Sequence, residues 1–478
     1  MKNRIFSKYH YSENFYNSGK YNQNPLHILN KRRIFLFTII GNEKFAFFIK
    51  KIFQKQFPNW IENHNDFAEV NLKWNENPEE IDYKQLSNYS IQLVNHFEFS
   101  NQLTSIFQLY LNLKNYCHIT KINMFDIIPF TLLMEKSNRN HIEKFSQFEK
   151  IFGVTRKLYK YQDDINKINY KLAEALAVSK TTNVPKISNS MISSKNIWIF
   201  KTSYVFKNKR RIESKMFDNL NILREFIEEF DRLCPINETK ILNDSLLRPY
   251  LIQKFVEKKL LFSGKMINLK IFVLIDPNLK VYLYKESYIK SNKTLIPNRD
   301  SNTKEVNFGS KSKENLPKYR LSKNLNVEYC SCHSFDNYSR SMNFRFYEEL
   351  IPQIQKIVEI TVKAVKYKIN QNFRKYCFEI FEYNFIIDST FKPWLQKIKV
   401  LKNPPLSYNL ISCFFDKLAR NTFSLLINAL FHGELNDNES KEPKSDGDSD
   451  KKSDFNFWQY ICDISIPWKV NSTFTKAN

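Results

Sequence analysis

Ile34 to Ile40 reads Ile-Phe-Leu-Phe-Thr-Ile-Ile, a continuous apolar run closed by Gly41-Asn42. A strand with one wet face alternates apolar and polar residues. A run without that alternation must be covered on both faces, as a strand buried within an α/β sheet is. The run is far shorter than the ~20 residues a membrane-spanning helix needs, and the polar, charged segment Asn42 to Lys44 follows it. The next stretch, Ala46 to Phe57, has the spacing of a helix, so the chain begins its ordered part with a strand-helix unit.

Further along, Asn196 to Lys201, Leu269 to Ile275 and Val281 to Lys285 have strand composition, and Asp276-Pro277-Asn278 supplies the turn between the last two. Ile354, Ile357, Val358, Val362 and Val365 share one helical face, with Pro352 tolerable at the helix start. Two more strand candidates follow, Tyr376 to Asp388 and Lys392 to Val400. Strands and helices alternate without internal repeats, so the class is α/β or α+β. At 478 residues, 42% of them hydrophobic, the chain can bury two or three packed cores.

The division expected is a flexible lead-in over 1–28, an N-terminal α/β domain over 29–140, a central domain over 141–262 and a C-terminal domain over 263–432. An acidic linker, 433–454, and an aromatic tail, 455–478, complete it. Between Glu434 and Asp454 lie eight acidic residues, four lysines and no aromatic, a composition that does not form a core. Phe455 to Trp468 is aromatic enough to dock back on the body.

The chain carries 73 Lys and Arg against 49 Asp and Glu, a formal charge of +24. That excess favours a polyanionic partner such as nucleic acid, anionic lipid or an acidic protein tail, without choosing among them. The seven cysteines are scattered and form no disulfide framework, and the polar, tyrosine-rich N-terminus lacks the apolar core of a secretory signal; both point to a reducing, cytosolic setting.

Four segments stand out in order along the chain: Val94 to Glu98 with Leu103 to Lys114 and Phe125 to Thr131; Trp198 to Lys201; Leu251 to Glu257 with Gly264 to Lys270; and Cys377 to Asp388 with Phe391 to Leu395. Together spanning about residues 30 to 430, they resemble the tubulin-tyrosine-ligase-like family, an ATP-grasp fold. Val94-Asn95-His96-Phe97-Glu98, followed by Leu103 to Lys114 and Phe125 to Thr131, is similar to a region found especially in its glycylase-type branch. Trp198-Ile199-Phe200-Lys201 resembles the strand whose lysine binds nucleotide phosphate. Leu251 to Glu257, running on to Gly264 through Lys270, matches the family's Gln-Lys-Tyr-Ile-Glu stretch in spacing. Cys377 to Asp388, with Phe391 to Leu395, resembles the segment that carries the metal ligands.

The resemblance implies an ATP-grasp-like body, ATP as cofactor, tubulin or microtubules as partner through acidic tails, and a cytoplasmic, cytoskeletal place that includes the cilium or basal body. It implies Lys270 and Lys290 as catalytic candidates, and Lys201, Gln253, Lys254 and Asn268 as the cofactor-binding set. It also shows heavy substitution. Where the family has Asp, Glu and Asn as metal ligands, this chain has Asn384, Lys397 and Lys399. The formal local charge changes from about −2 to about +2, and like charges at ~4 Å in a partly buried site repel by several kcal/mol. Magnesium, a hard ion that takes oxygen ligands, is not expected there. Glu382, two residues before Asn384 and hence on the same strand face, is a candidate surrogate carboxylate. The family's Asp and Arg become Asn268 and Lys270, and its glycine-containing loop becomes Tyr204 to Arg211, with no glycine.

The reading that follows is a glycylase- or glutamylase-type family member that binds acidic tubulin tails with ligation lost or strongly reduced. The rivals are an active polyglycylase with rearranged ligands supplied by Glu382, Glu379 or Asp388, and a basic nucleic-acid-binding protein. No recognisable nucleic-acid-binding motif supports the last. The default reading of Lys397 and Lys399 is a solvated strand face. Cys330, Cys332 and His333 have no companion pair for zinc, and His96 reads as a packed histidine near a domain junction.

Overall fold

The computed structural model describes residues 34–41, 43–64, 69–86, 91–134, 140–161, 169–171, 186–202, 214–233, 250–292, 328–402, 404, 409–432 and 457–465. The lead-in over 1–28, the Tyr204 to Arg211 loop and the acidic stretch 433–454 lie outside these residues.

The apolar run forms β1 (Phe35–Ile40), and with β2 (Trp60–Glu62), β3 (Leu72–Asn75) and β4 (Leu93–Val94) it builds a parallel sheet in the order β2-β1-β3-β4. The helix Glu43–Gln56 follows β1 and buries Ile49, Ile52 and Phe53 against it. Gly41 turns the chain between them at φ +140°, where a Cβ would lie 2.4 Å from Glu76 Cβ.

A second sheet is antiparallel, in the order β5-β8-β6-β7, from β5 (Thr131–Met134), β6 (Trp198–Thr202), β7 (Ser214–Phe217) and β8 (Tyr250–Lys254). The helix Asn140–Tyr161 brings Phe148 against Trp198 at 5.0 Å between ring centres. The helix Leu220–Leu233 brings Phe226 and Phe230 against Phe200 at 5.1 and 5.2 Å.

The third sheet is the largest. It comprises β9 (Leu261–Phe262), β10 (Lys265–Ile275), β11 (Lys280–Tyr284), β12 (Tyr288–Asn292), β13 (Glu328–Ser331), β14 (Glu379–Ile387), β15 (Pro393–Val400) and β16 (Trp458–Asp463). Ser263 and Gly264, at φ 50° and 72°, make the two-residue turn from β9 to β10. β12 runs along β10 from Met266 to Lys270, β14 runs along it from Leu269 to Ile275, and β15 completes a hairpin with β14. The helix Ile351–Ala364 covers one face through Ile354, Ile357, Val358 and Val362. The aromatic tail docks as β16 beside β11.

The faces of β10 enter two cores. Ile267, Leu269, Ile271, Val273 and Ile275 join the core that extends to the second sheet, whereas Phe272 and Leu274 join the core of the N-terminal sheet. The helix Asn409–Ile427 fills the latter, with Phe423 4.8 Å from Phe53 and Phe415 5.5 Å from Phe272. Residues from both ends of the described chain thus share one apolar core. Among the described residues, no helix is long and apolar enough to cross a membrane, and the cysteines are free thiols.

Candidate functional site

The ladders β12-β10-β14-β15 bring the candidate residues together. Asn268 stands opposite Lys290, Lys270 opposite Asn384, Asn384 opposite Lys397, and Glu382 opposite Lys399. Side chains alternate along a strand, so these residues occupy one face of the sheet. The same face carries Phe272 and Leu274 farther along β10, where it enters the core. The polar group is therefore the continuation of a buried surface. Lys397 and Lys399 themselves are exposed.

Lys270 Nζ lies 3.0 Å from Glu382 Oε1, both mostly buried. Burial pulls the Lys270 ammonium below its ordinary pKa; Glu382 opposes that, and the charges of Lys399 and Lys290 push the same way as burial. Asn384 is 3% exposed, with Nδ2 3.5 Å from Glu382 O.

Lys201 and Gln253 come from the second sheet. Lys201 Nζ donates to Gln253 Oε1 at 2.6 Å, and Gln253 Nε2 donates to Thr131 Oγ1 at 2.7 Å. Burial, and then the charge of Lys397, lower the Lys201 ammonium to about 8. A shallow, narrow cleft lies between the second and third sheets, lined by Lys201, Gln253, Phe255, Trp394 and Gln396 among others. The backbone ties its two sides together, with Leu395 N donating to Ile127 O at 3.0 Å.

Lys254 is placed differently. It is 1% exposed, donates to Ile197 O at 3.0 Å and pairs with Glu257, whose carboxylate also accepts from Ile197 N at 2.9 Å. Its ammonium is thus bonded within the wall behind the cleft. Thr131 and Glu257 were not singled out from sequence, although both fall inside quoted motifs. The signal needed to assign them is the register of β5 on β8 and the inward turn of Lys254.

The three carboxylates considered as surrogate ligands go to three places. Glu379 is buried, with Oε1 2.6 Å from His96 Nδ1 and Oε2 accepting from Phe97 N at 3.1 Å. Burial raises its pKa, against the opposing influence of His96. Asp388 closes the turn between β14 and β15, accepting from Thr390 N at 2.9 Å, Lys392 N at 3.0 Å and Trp394 Nε1 at 2.9 Å. Burial pushes its carboxyl up, and these hydrogen bonds outweigh that and hold it below the ordinary value. Glu382 alone faces the lysines.

Magnesium prefers several oxygen donors with negative charge. Asn384 with Lys397 and Lys399, and a Glu382 already paired with Lys270, do not fit it. Among the described residues no group of three His, Cys, Asp or Glu side chains converges. Cys332 is buried 2.7 Å from Ser287 Oγ, and burial raises both its thiol and that of Cys330.

Comparison with known proteins matches residues 84–431 to the tubulin-tyrosine ligase family. Tubulin glycylase 3F of Tetrahymena thermophila is 22% identical over 469 residues, 78% of this chain and 50% of that protein. Tubulin glycylase 3B of the same organism is 22% identical over 258 residues, 52% of this chain and 20% of that protein. A third protein from it, named "Probable alpha-tubulin polyglutamylase Ttll1", is 23% identical over 224 residues, 44% of this chain and 51% of that protein. The matches thus span about half or less of each of these relatives.

Proposed function

The chain belongs to the tubulin-tyrosine ligase family, with the mixed helix-and-sheet, ATP-grasp-like body of that family, and from that premise we propose that it binds acidic tubulin tails without efficient magnesium-dependent ligation. The observation that carries the reading is the lysine face: Lys270, Lys290, Lys397 and Lys399 on neighbouring strands of one sheet, with Glu382 the single carboxylate among them in the described residues. Ligases of this family activate a carboxylate with ATP, and phosphoryl chemistry of that kind depends on metal held beside the phosphates. A face with four ammonium groups repels such a metal and attracts carboxylates. The overall charge of +24 adds a long-range attraction to acidic partners, strongest at low salt. The relatives named as tubulin glycylases and polyglutamylase support tubulin as the partner class, and the reading extends this to a place on microtubules.

The alternative of an active ligase with a rearranged site has Glu382 in its favour, because that carboxylate does face the cluster. Its ion pair with Lys270 weighs against it, since metal binding would have to break the pair and then approach Lys399.

Two assays test the proposal. The purified chain is sedimented with microtubules before and after proteolytic removal of the tubulin tails, and is separately incubated with tubulin, ATP, magnesium and labelled glycine or glutamate. Tail-dependent co-sedimentation without incorporation is expected. Magnesium-dependent incorporation would overturn the loss of ligation, and co-sedimentation indifferent to the tails would overturn tail binding.

A further inference from the structure

The turn that joins the helix Ile351–Ala364 to β14 holds two aromatic rings out in solvent: Tyr367 and Phe373 are 59% and 54% exposed. Phe373 also sits at φ 50°, in the left-handed region that a Cβ makes unfavourable and that Gly or Asn ordinarily occupies. A turn that needed only its shape would use one of those. A phenylalanine there meets two costs at once, backbone strain and water against its ring. Strain of this kind persists where the surroundings over-determine it, and it concentrates at positions that bind or react.

The surroundings here do over-determine it. Asn370 brackets the turn, its side chain donating to Arg374 O at 3.0 Å and accepting from Arg374 N at 2.9 Å. Glu98 Oε2 accepts from Asn372 Nδ2 at 2.8 Å and from Arg374 Nε at 3.0 Å, which ties the turn to the segment after β4. Val365 and Ile369, both fully buried, anchor it from within.

The charge around the rings has one sign. From Lys363 to Tyr376 the chain has Lys363, Lys366, Lys368, Arg374 and Lys375, and no Asp or Glu. Lys363 and Arg374 are paired with Glu359 and Glu98. The other three keep their charge for a ligand. Lys366 Nζ lies over the Tyr367 ring at 4.6 Å, Lys368 Nζ donates to the neutral side chain of Asn112 at 2.7 Å, and Lys375 is exposed.

We propose that this turn is a binding site for single-stranded nucleic acid, with Tyr367 and Phe373 as platforms on which bases stack and Lys366, Lys368 and Lys375 as contacts for the phosphates.

The combination of rings and cations selects the ligand. An acidic peptide would be served by the ammonium groups alone, because the negative face of an aromatic ring offers nothing to a carboxylate. A single strand uses both, each base giving a flat face to a ring while its phosphate meets a cation. Duplex bases are already stacked on one another, so the strand must be single. Recognition of this kind is sequence-tolerant and needs no recognisable motif, only rings and cations held at the surface. The inference does not rest on tail binding, and none of these five residues belongs to the lysine face.

The test is fluorescence anisotropy of a labelled single strand of about twelve uridines, titrated with the full chain at several salt concentrations. An RNA duplex of the same charge is titrated alongside, and poly-glutamate serves as a competitor. Saturable binding of the single strand is expected. Phe373→Asn and Tyr367→Ser should each weaken it about fivefold or more, and that ratio should persist as salt rises, because stacking is not screened. Tyr460→Ser, which removes a ring 53% exposed on β16, should bind as the parent does. A thermal melt reads the strain separately. Asn suits the left-handed conformation, so Phe373→Asn should melt at or above the parent temperature while losing affinity.

Unchanged affinity in both ring variants would overturn the proposal, as would a Phe373→Asn chain that melts below the parent, which would mean that the ring is kept for packing. Duplex binding as tightly as the single strand, or poly-glutamate competing as well as unlabelled single strand at equal charge, would overturn it in favour of general attraction between a basic surface and acidic partners.

Discussion

Lys270 and Glu382 meet at 3.0 Å across β10 and β14, and the pair engages the one carboxylate that, among the described residues, faces the lysine cluster. Glu382 therefore lowers the charge of the face without leaving a ligand open to metal. Glu382→Gln keeps the shape of the side chain and removes its charge. It should tighten binding of an acidic peptide by about 1 kcal/mol, roughly fivefold, at low salt, with the gain shrinking as salt rises. Fluorescence anisotropy of a glutamate-rich peptide at several salt concentrations checks this. An active rearranged ligase would behave oppositely, losing activity in the same variant.

His96 and Glu379 join the N-terminal sheet to the third sheet. His96 Nε2 lies 2.8 Å from Asn75 O, and Nδ1 meets Glu379 Oε1 at 2.6 Å. Asn95 braces the same contact, accepting from Asn75 N and donating to Asn75 O, both at 2.8 Å. His96→Ala leaves a buried carboxyl group without its side-chain partner, and should destabilise the chain by roughly 3–5 kcal/mol in urea denaturation. The raised pKa of Glu379 means that the folded state holds this proton more tightly than the unfolded state. Its contribution is present below the unfolded value near 4.5 and is lost as pH rises through the folded value. Glu379→Gln should flatten stability over that interval.

Trp458 anchors the returning tail. It is 3% exposed, lies 4.9 Å from the Tyr284 ring, and belongs to the core that contains Phe35 and Phe53. Its Nε1 is buried and has no hydrogen-bond partner among the described residues. Trp458→Ala should therefore cost roughly 3–5 kcal/mol, whereas Trp458→Phe should cost much less, because it keeps most of the apolar ring and removes the unpaired donor. Urea denaturation of both variants, read by circular dichroism, distinguishes anchoring by ring volume from anchoring by the indole nitrogen.

Local pattern made some of this architecture legible and not the rest. β1 was readable from its unbroken apolar run, and the helix Ile351–Ala364 from the spacing of Ile354, Ile357, Val358 and Val362, because burial on a known face leaves a periodic trace. Strand alternation also put Glu382 beside Asn384, and the structure adds Lys270 as its partner. Long-range register leaves no such trace. Thr131 contacting Gln253, and Lys254 turning inward to Glu257, depend on how β5 and β6 flank β8. The helix Asn409–Ile427 has an apolar face that suits many surfaces, and its place between the first and third sheets follows only from their assembly.

Lys201 supplies a pH dependence whose sign can be worked out. Its ammonium is buried beneath the cleft, and the groups around it are neutral Gln253 on β8 and cationic Lys397 on β15, which leaves its pKa near 8 against an ordinary 10.5. The folded state thus releases this proton before the unfolded state does. Keeping Lys201 charged costs stability below about pH 8, and that cost is relieved as pH rises from about 8 to 10.5, by about 3 kcal/mol at ~1.4 kcal/mol per unit. Lys201→Met should gain stability at neutral pH and lose the rise between pH 8 and 10.5. Thermal melts of both chains across pH 7–10.5 measure this; a parent chain whose stability does not rise through that range would show that Lys201 keeps its ordinary pKa.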